Sequence, residues 1–228
     1  MLLLVTDTSG KHGSVGLVRA DDIGPEHKTR LIESVPLAGG TFSAQLVPQI
    51  AALLDKHALK KTDIDAFVVI SGPGSFTGLR VGLAAIKALA EILRKPIVPL
   101  SLLEVVAIAT RTEGNVLAVI DAGRGEVYAG AYEIHGDTAR LRKEQLLVKS
   151  ELPSAAHGCG VSTPDEALAQ VARDAGLSVH VVKLGTEEIA QVGLRKMRAG
   201  ETVSPEHLEA NYIRRSGAEI LSNPAVGR

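Results

Sequence analysis

An α/β fold of two lobes, each a mixed sheet with helices, is predicted for this 228-residue chain by three observations. Short apolar runs of strand type alternate with longer runs of helical period. One unit occurs twice: an apolar strand, an Asp at its end, a small-residue turn and a returning strand. The first copy is Val5-Thr6-Asp7-Thr8-Ser9 with residues 14–18; the second is 116–120, Asp121-Ala122-Gly123-Arg124-Gly125 and 126–134. The hydrophobic share of 45% is enough to bury a sizeable core, as one domain or as two small lobes.

The elements follow in order. Residues 2–6 read as a buried strand, 7–13 as a polar turn, and 14–18 and 31–36 as two more strands of an antiparallel meander. Leu46, Val47, Ile50, Leu53 and Leu54 have helical spacing, with Ser43 as the expected cap and Pro48 as a kink beyond the first turn. An apolar strand at 66–71 runs through a Gly-Pro-Gly turn into a helix over 77–94, and 97–100 closes the first half. A helix at 102–112 precedes the second copy of the unit. Thr163-Pro164-Asp165-Glu166 caps a helix to 175. A strand at 178–184, a helix at 187–198 and a tail containing Pro205 complete the chain. The expected division is 1–100 and 101–228, with the final helix packing back on the first lobe.

Bulk composition narrows the classes. With 25 basic and 26 acidic residues there is no global footprint for nucleic acid, so any RNA contact needs a local patch or a partner. Cys159 is the single cysteine, which excludes an internal disulfide and suits a reducing compartment. The start, Met1-Leu2-Leu3-Leu4-Val5, reads as a strand and not a signal peptide, and no run of about 18 apolar residues is present. The expectation is a soluble, cytoplasmic protein.

The segment Gly72-Pro73-Gly74-Ser75-Phe76-Thr77-Gly78-Leu79-Arg80 is the most informative. Its strand-turn-helix setting suits a phosphate cradle, yet both standard patterns miss. Gly72 to Gly78 is too long for a P-loop and Leu79 sits where Lys belongs; the third glycine of a dinucleotide fingerprint would be residue 77, which is Thr. Gly78, Gly82 and Ala85 instead make a smooth strip on one helix face. Leu79, Val81, Leu83, Ile86, Leu89, Ile92 and Leu93 leave Arg80, Lys87, Glu91 and Arg94 only a narrow charged line. A helix this apolar is either deep in a core or shared between two bodies. Both readings stand at this stage, and the shared interface is preferred.

Catalytic constellations are thin. Asp7 and Asp121 at strand ends suit a hydrated Mg²⁺ between lobes, as in an actin-like phosphotransferase, or simple turn closure, for Asp121 with Arg124 and Glu126. No two of the seven histidines are three or four residues apart, so none forms a helical metal pair. Cys159 lacks a basic or second-cysteine context, and no Gly-x-Ser-x-Gly elbow is present. A peptidase reading finds neither nucleophile nor metal set.

Asp7-Thr8-Ser9, the stretch from Ser71 to Leu83, Pro99-Leu100-Ser101-Leu102-Leu103-Glu104, Asp121 with Gly125-Glu126-Val127-Tyr128, and Ala210-Asn211-Tyr212-Ile213-Arg214 resemble the TsaB (YeaZ) family in order and spacing, over nearly the whole chain. Phe42-Ser43 departs from it, where members often carry a His. The resemblance implies an actin-like ATPase (ASKHA, ribonuclease H-like) fold. It also implies a non-catalytic subunit that binds and supports the paralogue TsaD in threonylcarbamoyl transfer to adenosine of ANN-reading tRNAs, with the ATPase TsaE as third component. A homodimer when alone, tRNA contact only through the partner and no membrane role follow from it. The chain alone is expected to bind no cofactor, with ATP or ADP and Mg at the joint interface. The expected partner-binding residues are Leu46, Ile50, Leu53, Phe76, Gly78, Leu79, Gly82, Leu83 and Ile86; Asp7, Thr8 and Asp121 are the expected nucleotide or metal vestige. The two metal-binding histidines of TsaD, aligned on Pro99 and Glu104, fall here on Leu102 and Val106, whose aliphatic side chains cannot ligate a metal. The alternative is an autonomous ASKHA-type small-molecule kinase using Asp7.

Overall fold

Among the described residues, ten strands form two sheets of the same design, packed with six α-helices. The structure is a computed structural model and describes residues 1–20 and 29–214. The first sheet holds β1 (Leu2–Asp7), β2 (His12–Ala20), β3 (Thr29–Ala38), β4 (Ala66–Gly72) and β5 (Ile97–Ser101), in the order β3-β2-β1-β4-β5. The second holds β6 (Gly114–Gly123), β7 (Glu126–His135), β8 (Thr138–Val148), β9 (Gly160–Thr163) and β10 (Val179–Val181), in the order β10-β9-β6-β7-β8. In each, the first three strands form an antiparallel meander and the last two join in parallel on its far side. The unit read twice in the sequence is therefore repeated in full topology. This is the two-lobed, actin-like ASKHA arrangement.

Alternation along each strand sends residues to opposite faces, and each face collects its own helices. Leu2, Leu4, Val15, Leu17, Phe67 and Val69 pack under α1 (Phe42–Lys56) and α2 (Phe76–Leu93). On the opposite face Leu3, Val5, Val68 and Ile70 meet α3 (Leu102–Ile108) and α6 (Thr186–Arg198). The same layer takes Val116, Ala118, Tyr128 and Tyr132 from the second sheet. That sheet's outer face, with Leu117, Val119, Val127 and Ala129, is covered by α4 (Leu152–Ala156) and α5 (Glu166–Asp174). The layers thus run helix, sheet, helix, sheet, helix. α6, late in the chain, lies on the first sheet, where Gly193 sits so close to Val68 that a Cβ would strike its side chain.

Several local expectations change. α1 starts one residue before Ser43, which falls in its first turn; Thr41 is the cap position, and its hydroxyl donates to the Ala38 carbonyl at 2.9 Å. Pro48 sits inside α1 on its exposed side, so the helix runs through it with the deprived carbonyl near solvent. α3 stops at Ile108 and not 112, because Thr110 turns back to donate to the Ala107 carbonyl and Arg111 takes a positive φ. β10 spans three residues where seven were expected. β8 and β9 had no sequence expectation. No helix among the described residues is long and apolar enough to cross a membrane.

Candidate functional site

Two surfaces carry the candidate residues: the outer face of α1 and α2, and a cleft between the lobes. α2 begins where β4 leaves the sheet through Gly72, whose φ of 136° is a conformation glycine tolerates and side chains avoid. The Gly72–Pro73 peptide is cis. Ser75 caps the helix, its hydroxyl accepting from the Gly78 amide at 3.3 Å. The helix then presses into its own lobe. A Cβ on Gly78 would collide with the Thr8 carbonyl oxygen, and one on Gly82 with the Thr8 hydroxyl.

The glycine strip therefore serves close approach to β1, within the chain. Leu79, Leu83 and Ile86 line the same buried face of α2, and Leu46, Ile50 and Leu53 the buried face of α1. Burying such side chains favours folding by roughly 1.5–3 kcal/mol each, so none of them is free to bind a partner. Of the expected partner-binding residues only Phe76, 36% exposed, reaches the surface. The correction has a simple cause: a wide apolar circumference marks the buried face, and the outward face was one step round each helix. That outward face carries small apolar residues beside a few polar ones. On α1 it presents Ala44, Val47, Pro48 and Ala51; on α2 it presents Ala84, Ala88 and Ile92, the last 71% exposed, with Thr77, Arg80 and Glu91 beside them.

The cleft, about 1040 Å³, is lined by both strand-end turns, by the start of α2 and by the tail. The Arg80 guanidinium stands 3.9 Å from the centre of the Phe76 ring, and the Tyr212 ring centre lies 5.0 Å from the same ring. Lys11, Arg80 and Arg124 line the cleft with no carboxylate partner among the described residues. Asp121 is held by Lys149 at 3.3 Å. The expected closure of its turn by Arg124 and Glu126 is not what forms, since Glu126 pairs with Arg214 at 2.5 Å. Asp7 Oδ1 accepts from the amide and the hydroxyl of Ser9, at 2.8 and 2.6 Å, and burial pushes its carboxyl above the usual range. Thr8 is buried under Gly82. Ser9 thus engages one oxygen of Asp7, and Lys149 one oxygen of Asp121. Among the described residues no three of His, Cys, Asp and Glu gather as a metal set. Leu102 and Val106 are buried in the central layer.

Residues missed by sequence reasoning lie around Glu144 on β8. Its Oε1 accepts from Ser101 Oγ and Tyr132 Oη, each at 2.5 Å, and its Oε2 from Asn211 Nδ2 at 2.6 Å. Burial and the neighbouring carboxylate push the Tyr132 phenol far above its usual range, so it remains a donor.

Comparison with known proteins fits this architecture. The chain is 34% identical over 134 residues to the "tRNA threonylcarbamoyladenosine biosynthesis protein TsaB" of Bacillus subtilis, covering 58% of this chain and 56% of that protein. It is 29% identical over 187 residues to the Escherichia coli protein of the same description, covering 76% and 81%. A family described as "TsaD: tRNA N6-adenosine threonylcarbamoyltransferase" matches residues 36–199. The chain belongs to this family, in its TsaB/YeaZ branch. Against the first of these relatives the match spans just over half of the relative's length. The solved structure described as "YeaZ from Pseudomonas aeruginosa" shares the fold, with a TM-score of 0.71, 24% identity and coverage of 92% of this chain and 100% of that one. Leu102 and Val106, on the helix that opens the second half, lie inside the matched region of this TsaB/YeaZ member.

Proposed function

We propose that this chain is a non-catalytic subunit that binds a TsaD-type transferase and supports threonylcarbamoyl transfer to adenosine in ANN-reading tRNAs. The observation that carries the reading is the outward face of α1 and α2, where Ala44, Ala51, Ala84 and Ala88 are exposed with Val47 and Ile92 on two neighbouring helices. Small side chains let helices approach closely, and a contiguous apolar face on a folded chain is a docking surface. The names of the B. subtilis and E. coli relatives support the pathway. A self-paired dimer through the same face is expected when the partner is absent. The cationic lining of the cleft suits an anionic ligand, a nucleotide included, held jointly with the partner; TsaE belongs to the same proposal. The kinase alternative is disfavoured by the engagement of Asp7 with Ser9 and Asp121 with Lys149.

The test is co-purification with the cognate TsaD and a threonylcarbamoylation assay with and without this chain. Ala84→Arg, on the exposed face, is expected to abolish the complex and the stimulation while the circular dichroism spectrum stays unchanged. Undiminished affinity in that variant would sink the proposal.

A further inference from the structure

The last described stretch of chain crosses from one lobe to the other. Val203 and Ile97 exchange both backbone hydrogen bonds, at 2.8 and 3.2 Å, at the edge of the first sheet. Leu208 is buried in the core under α1 and α2. The Asn211 amide then donates to the Ser71 carbonyl at 2.8 Å, and the Asn211 carbonyl fills the space beside Gly72 that a side chain would need. From this point the contacts change lobe: Asn211 Nδ2 reaches Glu144, and Arg214 reaches Glu126 and lies 5.8 Å from the Tyr128 ring. Tyr212 covers Phe76 between these anchors.

We infer that residues 208–214 form a strap that closes the mouth of the interlobe cleft, with Glu144 as its latch. Asn211 to Arg214 line the cleft directly, together with the turns of both lobes. The hold on the second lobe joins two carboxylates to one amide and one guanidinium, and Ile213 packs against the layer shared by both sheets. The hold on the first lobe is apolar and deep at Leu208 and continues to the Asn211 amide on Ser71. A strap anchored in this way opens beyond Asn211, and opening it removes Tyr212 from Phe76. Glu144 is the latch because its other oxygen is fixed by Ser101 and Tyr132, which leaves Oε2 aimed at the strap. Glu144 therefore acts as a positioning residue.

Hydrogen exchange read by mass spectrometry on the full chain tests this. Asn211→Asp places a carboxylate against Glu144 and is expected to speed exchange at 211–214 by about tenfold or more, the loss of one charge-assisted bond. The turns at Gly10–Lys11 and Gly123–Arg124, which line the cleft from either lobe, should exchange faster as well, while amides of β1 and β4 stay unchanged. Tyr212→Ala, which leaves the latch intact, should open the α2 start without releasing Asn211. Unchanged exchange at 211–214 in Asn211→Asp would overturn the latch. Equal acceleration in β1 and β4 would overturn it too, by showing general loss of stability.

Discussion

Gly82 lies so close to Thr8 that a methyl group on its Cα would overlap the Thr8 hydroxyl. The contact holds α2 against the turn that follows β1, one residue past Asp7. Two effects of Gly82→Ala oppose each other. Alanine favours the helix by about 1 kcal/mol, while overpacking a closed site costs about 1–3 kcal/mol. The overlap should win, giving a net loss of stability in urea denaturation. Thr8→Ala in the same chain should recover part of it, a coupling that a double-mutant cycle measures. A variant as stable as the parent would show the contact to be slack.

Adjacent positions on α1 should behave oppositely. Leu46 is buried under the helix and Val47 is 51% exposed. Leu46→Ala is expected to cost about 2–5 kcal/mol, and Val47→Ala no more than about 0.5 kcal/mol, both from denaturant midpoints of the isolated chain. The reverse order would mean that α1 presents a different face to the sheet.

Glu104 on α3 meets Lys196 of α6 at 2.9 Å, yet burial outweighs the ammonium and raises its carboxyl above the ordinary value of 4.5. Between those two values the folded chain holds a proton that the unfolded chain has released. The group's contribution is therefore fully present below the ordinary value and is lost as pH rises through the raised one. Asp7 shifts in the same sense, so the comparison must be with Glu104→Gln. The stability of the parent relative to that variant should rise as pH is lowered from neutrality toward 4.5. A flat difference across that range would contradict the assignment.

Asp165 caps α5 by accepting from the amides of Ala167 and Leu168 at 2.8 and 3.2 Å. Asp165→Ala should cost about 1 kcal/mol, which lowers the melting temperature of a domain this size by about 2–4 °C. Asp165→Asn should cost much less, since the amide oxygen still accepts. Equal losses for the two variants would assign the effect to charge and not to the cap.

Local chemistry made much of the fold legible. The three strands of the first meander, β6 and β7 of the second, both parallel strands of the first sheet and the two long helices all follow from short-range pattern. β8 escaped because it is an edge strand. Arg140, Arg142, Lys143 and Glu144 interrupt its alternation, as charges on an unpaired edge do. The site was less legible for a different reason. Gly78 and Gly82 announce a close approach but not what approaches, and β1 lies some seventy residues away in sequence. Helical periodicity locates an apolar face without saying whether its neighbour is the same chain. The Glu144 contacts join residues 101, 132, 144 and 211, and no sequence spacing reports such a meeting.

The layer formed by α3 and α6 is shared by both sheets, with Val68 on one side and Val116 on the other. Dissecting the chain near residue 101 would therefore not yield two self-sufficient halves. The N-terminal piece would keep its outer helices but expose the inner face of its sheet, because α6 is supplied from the other end of the chain. The C-terminal piece would carry α6 beside α3 but without the first sheet against which it packs. Complementation by two separately made fragments is conceivable for such a molecule; autonomous refolding of either one is not.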